Sequence, residues 1–292
     1  MNYQRREFLK LAGGLSSVLG LSSVASKLGL SNDLLEEHKK LKAFGLQLYS
    51  LRDVLPKDPQ GVLKQAASFG YKQIESYEGA TGMFWGMSNT EFKKYMDDLG
   101  MTIISSHCDT TKDFEKKAAD ASAIGMKYLI FPYEGANKTI DDYKKYADDF
   151  NKKGEICKKN GIRFAFHNHN FSFTAINGVF PQDVLMQNTD PSLVDFEMDM
   201  YWVVTPGQDP VAWLKKYPTR FRLVHVKDRT KGATATADTC TLGQGSIDYP
   251  SILKEAKKQG VQYYIVEQEK YEGTTPIDSA KADAEYMKRL KV

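Results

Sequence analysis

The chain has 292 residues, 41% of them hydrophobic and 26% charged, a composition that suits a soluble globular protein with a large core. The formal charge of +3 is small and no long basic run occurs, which argues against a nucleic-acid partner. Three cysteines, Cys108, Cys157 and Cys240, with no C-x-x-C spacing, argue against a disulfide framework and against a thiol nucleophile.

The first segment reads as an address. Arg5 and Arg6 precede Glu7, Phe8, Leu9 and Lys10, and a mildly apolar run, LAGGLSSVLGLSSVA, follows. Ser23 and Ala25 are the small residues that signal cleavage favours. The stretch resembles a twin-arginine export signal, RR-x-F-L-K. The resemblance implies a signal peptide over 1–27, a polar linker over 28–42, and a periplasmic or exported location. The apolar run is Gly- and Ser-rich and short, so no stable membrane span is expected after processing.

From residue 43 the pattern turns regular. FGLQLYS (44–50) predicts strand one, and DPQGVLKQAASFG (58–70) a helix with Asp58 as cap, Pro59 in the first turn and Gly70 as stop. Strand two follows at 71–77, a helix at 88–100, strand three at 101–107, a helix at 111–125, strand four at 126–132 and a long helix at 139–161. Strand five is expected at 162–168, a short helix at 181–189, strand six at 193–199 and a helix at 209–218. Strand seven is expected at 220–228, a helix at 246–260, strand eight at 261–269 and a last helix at 276–290. Alternation of this kind means parallel strands joined by crossover helices. Eight such units predict an α/β fold, a (β/α)8 TIM barrel over 43–292. A doubly wound open sheet is the alternative, but strand one leads into YSLRDVLPKDP rather than a glycine-rich phosphate turn.

Catalysis in such a barrel sits where the strands end. Those ends offer Gln47 and Tyr49; Glu75; His107; Tyr133 and Glu134; His167 and His169; Glu197 and Asp199; His225, Lys227 and Asp228; Glu267 and Glu269. Four of the five histidines fall there. Imidazoles mixed with carboxylates suit a borderline divalent ion, manganese first, then zinc, iron, cobalt or nickel; oxygen ligands alone would suggest magnesium or calcium, and magnesium remains an alternative. In FAFHNHNFSF, His167 and His169 are two apart and share a strand face, so periodicity leaves both eligible as a ligand.

The segments VDFEMDMYW, RLVHVKD and YYIVEQE, with FHNHNFSF before them, resemble the sugar phosphate isomerase/epimerase family, the xylose-isomerase-like barrels, over roughly residues 43–290. That family takes one metal ligand from each of strands five to eight, usually Glu, Asp, His and Glu. By position the resemblance implies His167, Asp199, His225 and Glu267. A histidine thus stands where ketose 3-epimerases carry a glutamate that is both ligand and acid/base. The two-glutamate mechanism is therefore not expected. Exported members of this HNH type are similar to lyases acting on 3-keto-glycosides.

The remaining expectations follow from position at the mouth. His169 is the candidate base, and His107 a candidate for substrate contact or acid/base work. Lys227 is a candidate to hold an oxyanion or to pair with Asp228. Glu75 and Tyr133 are candidate substrate contacts, Glu75 alternatively an internal salt bridge. Trp202, three after Asp199, is the candidate ring for a sugar face. Glu197 is a candidate to orient a ligand from behind. RTKGATATADTCTLGQGSID is expected to be a long mouth loop. The expected partner is a small-molecule carbohydrate, and a homo-oligomer is allowed. The leading expectation is proton abstraction next to a sugar carbonyl, in isomerisation, epimerisation or elimination. A DNA-cleaving endonuclease barrel fits the charge poorly, and a non-enzymatic sugar-binding barrel would not need its carboxylates.

Overall fold

Local side chains set the helix ends. In the computed structural model, which describes residues 41–292, Asp58 accepts the Gly61 N–H at the start of α1 (Pro59–Phe69), and Gly70 ends it at φ 104°. A left-handed C-cap is a conformation that glycine adopts without a Cβ penalty. Capping boxes open α2 (Asn89–Asp98), through Ser88 and Glu91, and α4 (Ile140–Lys159), through Thr139 and Asp142. Between them lies α3 (Phe114–Ala123), and later come α5 (Pro181–Asn188), α6 (Met200–Val204), α7 (Pro210–Lys216), α8 (Tyr249–Lys258) and α9 (Pro276–Arg289). Pro59, Pro181, Pro210 and Pro276 each stand at the start of their helix, where a missing N–H costs nothing.

The strands are β1 (Gly45–Gln47), β2 (Gln73–Tyr77), β3 (Thr102–His107), β4 (Tyr128–Phe131), β5 (Arg163–His167), β6 (Val194–Asp199), β7 (Phe221–Val226) and β10 (Tyr263–Val266). They pair in parallel, each with its neighbour in that order, and β10 returns to β1 to close the barrel. The (β/α)8 expectation is met. The short pair β8 (Asp228–Arg229) and β9 (Thr239–Cys240) is antiparallel and braces the base of the long mouth loop. Several details of the sequence reading change: strand one ends at Gln47 and continues as a 3-10 turn over Leu48–Leu51. Strands seven and eight stop at Val226 and Val266 rather than at 228 and 269. Trp202, the expected ring for a sugar face, lies buried in the short helix α6.

Aromatic packing holds α4 to the sheet. The Phe150 ring, fully buried, lies 5.1–5.3 Å from the rings of Phe131, Phe164 and Phe166. Truncating such a ring to alanine typically costs about 3–5 kcal/mol. The barrel floor is filled by Ile104, Tyr128, Ile130, Ala165 and Leu223. Above that apolar layer the inward side chains turn polar. Register pairs Gln47 with Glu75, Glu75 with Ser105, His167 with Glu197, and Asp199 with His225. Parallel pairing thus sets the carboxylates and imidazoles of different strands at matching heights. Among the described residues no helix is long and apolar enough to cross a membrane. The signal peptide expected over 1–27, and the linker up to residue 40, lie outside the described residues.

Candidate metal centre and mouth

Asp199, the last residue of β6, is fully buried. Its Oδ1 accepts the Tyr201 N–H at 2.9 Å and the Trp202 N–H at 3.3 Å, which caps α6. The cap fixes the carboxylate and turns Oδ2 toward the barrel axis. There Oδ2 lies 3.7 Å from His225 Nδ1 and 3.9 Å from His167 Nε2. His225 Nδ1 is also 3.2 Å from Glu267 Oε2. One donor atom each from Asp199, His225 and Glu267 meets within 4.8 Å, and His167 borders the same volume.

The far nitrogens of the two histidines argue for a metal site. His225 Nε2 lies 2.7 Å from Glu75 Oε1, and His167 Nδ1 lies 3.1 Å from Glu197 Oε2. A metal-binding imidazole almost always donates its other N–H to a carboxylate, a backbone carbonyl or water, which fixes the tautomer and frees the facing lone pair. Burial opposes the charge of His225, but Glu197, Glu267 and Glu75 hold it well above the usual imidazole range, so an ion would have to displace its proton. Burial, reinforced by the charges of His225 and His107, pushes His167 well below that range. It is therefore the neutral form a ligand requires. Two oxygens and two such nitrogens fit a borderline divalent ion.

Glu75 does not border the cavity. It is fully buried and accepts from Gln47 Nε2 at 2.7 Å and Ser105 Oγ at 2.6 Å, besides contacting His225 and His107. This is the internal-bridge reading of Glu75, not substrate contact. Burial acts to raise its pKa, but the two imidazoles overcome that and hold it well below the ordinary range. Glu197, equally buried, goes the other way, up to about 7, through burial and the charge of Glu75. His107 Nε2 touches both, at 3.1 Å from Glu75 and 2.9 Å from Glu197. Burial opposes its protonation, yet these carboxylates raise it to about 9. A second donor group, His107, His167, Glu197 and His225, thus lies against the first and shares His225 with it.

Lys227 does not pair with Asp228. Its ammonium, fully buried, lies 2.9 Å from Asp199, 2.8 Å from Glu267 and 2.9 Å from Glu269. Burial opposes its charge, but those carboxylates hold its pKa well above the usual lysine value. The Tyr249 hydroxyl accepts the Lys227 N–H and donates to its carbonyl, pinning the backbone there. Asp228 accepts four backbone N–H groups instead, from Arg229, Gly243, Gly245 and Ile247. It ties down both ends of the mouth loop, and a Cβ at Gly245 would collide with its carboxylate.

The cavity above the centre has a volume of about 420 Å³ and is lined by Tyr49, Tyr77, His107, Tyr133, His167 and His169, with Glu267 and Glu269. Tyr133 and Tyr49 are exposed at 52% and 42%, the two most open aromatic rings among the described residues. They stand just past the ends of β4 and β1, three strands apart around the barrel. His169 stands on the rim. Tyr133 packs edge-on against it at 4.9 Å, and Trp202 lies behind it at 5.3 Å. Trp202 itself lies outside the cavity lining, buried, with the Lys227 ammonium 5.0 Å from its ring. It backs the site rather than offering a face to a sugar.

Two participants have no role in the sequence reading. Asn168, the middle of HNH, donates to the Asp199 carbonyl and accepts the Asp199 N–H at 3.2 and 3.1 Å. It stitches the end of β5 to β6, and its position between two inward residues was the available signal. Glu134 sits behind His169 with its Oε2 3.9 Å from His169 Nδ1, while Ser172 donates to Oε1 at 2.7 Å. Burial raises Glu134 to about 7.

The family model described as xylose isomerase-like TIM barrel matches residues 63–290. The chain belongs to this family. Inosose dehydratase of Clostridium tetani is 34% identical over 225 residues, 75% of this chain and 71% of that protein. A solved sugar phosphate isomerase/epimerase from Parabacteroides distasonis superimposes with a TM-score of 0.72 at 32% identity, covering 84% of this chain and 97% of that one. The IOLI protein, solved with a bound zinc atom, shares the fold at 15% identity and a TM-score of 0.67, over 83% of this chain and 95% of its own. As a xylose isomerase-like barrel with such relatives, the chain is an enzyme of the sugar-modifying isomerase, epimerase and lyase kind.

Proposed function

We propose that this barrel is a divalent-metal-dependent enzyme that removes a proton next to a sugar carbonyl. The reading rests on one observation: Asp199, His225 and Glu267 converge, with His167 beside them and a buried carboxylate behind each imidazole. Manganese is the favoured ion, with zinc, cobalt, iron and magnesium as alternatives; when bound it supplies Lewis acidity toward a carbonyl or hydroxyl oxygen.

The chain's own residues divide the remaining work. His169, on the rim, accepts the carbon-bound proton; burial and the Lys227 charge lower it to about 4, so it is neutral and open to a proton. Glu134 lies behind it and orients the ring. His107 faces the cavity and, held protonated by Glu75 and Glu197, gives its proton to the oxygen of the departing C1 substituent as the C1=C2 double bond forms. Lys227 is a positioning residue that fixes Asp199, Glu267 and Glu269. Tyr133 and Tyr49 flank the carbohydrate.

Elimination is the outcome we favour, as in 1,2-elimination from a 3-keto-glycoside. The β5 ligand position carries His167 rather than a glutamate, and the Clostridium tetani relative is a dehydratase. The test is product analysis by NMR in D₂O over a panel of ketoses and 3-keto-glycosides, before and after EDTA and with manganese, cobalt or zinc restored. An unsaturated product that vanishes with EDTA is expected. Full turnover by metal-free protein would end the proposal, and deuterium at one carbon without an unsaturated product would make the enzyme an isomerase or epimerase. Export by the twin-arginine route is part of the same reading, supported by Arg5, Arg6, Phe8, Leu9 and Lys10. Replacing Arg5 and Arg6 by lysine should hold the protein in the cytoplasm on cell fractionation.

A further inference from the structure

The opposite end of the barrel carries a second cavity, of about 240 Å³, far along the strands from the metal centre. It opens where β5, β6, β7 and β10 begin. Arg163 is the first residue of β5, Asp195 the second of β6, Arg220 precedes β7, Arg222 is its second residue, and Gln262 precedes β10. Three guanidiniums therefore face one carboxylate, an excess of two positive charges.

The pairing is unequal. Arg163 forks onto Asp195 through Nε and Nη2 and spends its other donors on the Ser192 and Pro191 carbonyls, so it is neutralised and satisfied. Arg220 donates to the Met186 carbonyl and Thr189 Oγ1, and its Nε–H is buried with no hydrogen-bond partner. Arg222 donates to the Gly260 carbonyl at 3.1 Å. Neither Arg220 nor Arg222 has a carboxylate within ion-pair distance among the described residues. Burial pulls the Arg220 pKa down, as expected of a cation short of counter-charge. A guanidinium carries five N–H donors in a planar fork, and these two leave most of theirs uncommitted.

We propose that this cavity binds a tetrahedral oxyanion of the phosphate class, held between Arg220 and Arg222. A phosphate dianion matches the excess of two charges, and its oxygens suit forked donors better than a point cation would. The cavity is roomy enough for the ion and its waters. The anion is gripped at the start of β7, with Gln262 before β10 beside it, and because it binds only the folded barrel its binding reads out as stability. It is a site separate from the mouth and needs no part of the proposed reaction.

The experiment is thermal unfolding and calorimetric titration of the full chain with inorganic phosphate, glycerol phosphate or acetate against chloride at matched ionic strength. Saturable binding of phosphate or of the ester at about 1 mM or below is expected, equivalent to about 4 kcal/mol, with acetate at least tenfold weaker. Tighter binding of the ester than of free phosphate assigns the site to a phosphorylated metabolite, and the reverse to the free ion. Arg222→Gln should weaken binding at least tenfold without changing divalent-metal affinity. Gln262→Glu, at an exposed position, puts a negative charge at the cavity and should do the same if Arg222→Gln fails to fold. Absence of saturation by 10 mM, or binding that survives both substitutions and so belongs to the mouth, overturns the proposal.

Discussion

Replacing Lys227 by methionine keeps an unbranched chain, one atom shorter, and removes the charge from among three carboxylates. At 2.8–2.9 Å, each attraction is worth roughly 6 kcal/mol at an effective dielectric of 20. Most of that is offset by taking the ammonium out of water, and removing one partner of a buried ionic cluster typically costs about 3–5 kcal/mol. We expect a loss of that size for Lys227→Met in urea unfolding with EDTA present. With saturating manganese the loss should shrink, because an ion held by Asp199 and Glu267 as proposed would supply the positive charge that Lys227 otherwise gives them. A loss below about 1 kcal/mol in EDTA would refute the neutralising role. A large loss of equal size with and without manganese would refute the sharing of those carboxylates by lysine and metal.

Glu75→Gln should leave the ligand count intact but weaken manganese affinity about 10- to 100-fold, as usual when the carboxylate behind a metal-binding histidine is lost; calorimetric titration reads this, and unchanged affinity would contradict the support of His225. Asp283, buried on α9 and accepting the Leu242 N–H at 2.8 Å, is raised by burial to about 8. Its folded pKa lies above its unfolded one, so its contribution is greatest in acid. Stability should fall by about 1.4 kcal/mol per pH unit as pH rises from about 4 toward about 8. Asp283→Asn should flatten that slope in urea unfolding measured across pH. Asp228→Ala should free residues 229–247 and raise their proteolysis rate at least several-fold, while the barrel keeps its circular dichroism; an unchanged cleavage rate would show that the loop is held by other means.

The eight strand–helix units were legible because each carried its own punctuation: a cap, a period and a stopping glycine, as in Asp58 to Gly70. Alternation put Asp199, His225 and Glu267 on inward faces at strand ends, and the resemblance to the xylose-isomerase-like barrels grouped them as one ligand set. Depth was not legible. Alternation puts Glu75 and Glu267 on inner faces alike, but the stagger of the closed barrel decides that one backs His225 while the other borders the cavity. The partners of Lys227 come from strands 28 to 42 residues away in the chain, so only barrel closure reveals them. Asp228, next in sequence and opposite in charge, looked the natural partner, but it is committed to loop amides. Helix α6 was hidden because MYWVV is apolar throughout and too short to show a period.

The four proposed ligands all come from β5 onward, whereas Tyr49, Tyr77, His107 and Tyr133 reach the cavity from β1 to β4. One half of the cylinder thus holds the proposed ligands and the candidate base, while the other, His107 apart, shapes what can lie upon them. Altering the loops of the first half changes which molecule is admitted while the chemistry applied to it stays as it was, so selection or engineering can retune substrate preference without rebuilding the catalyst.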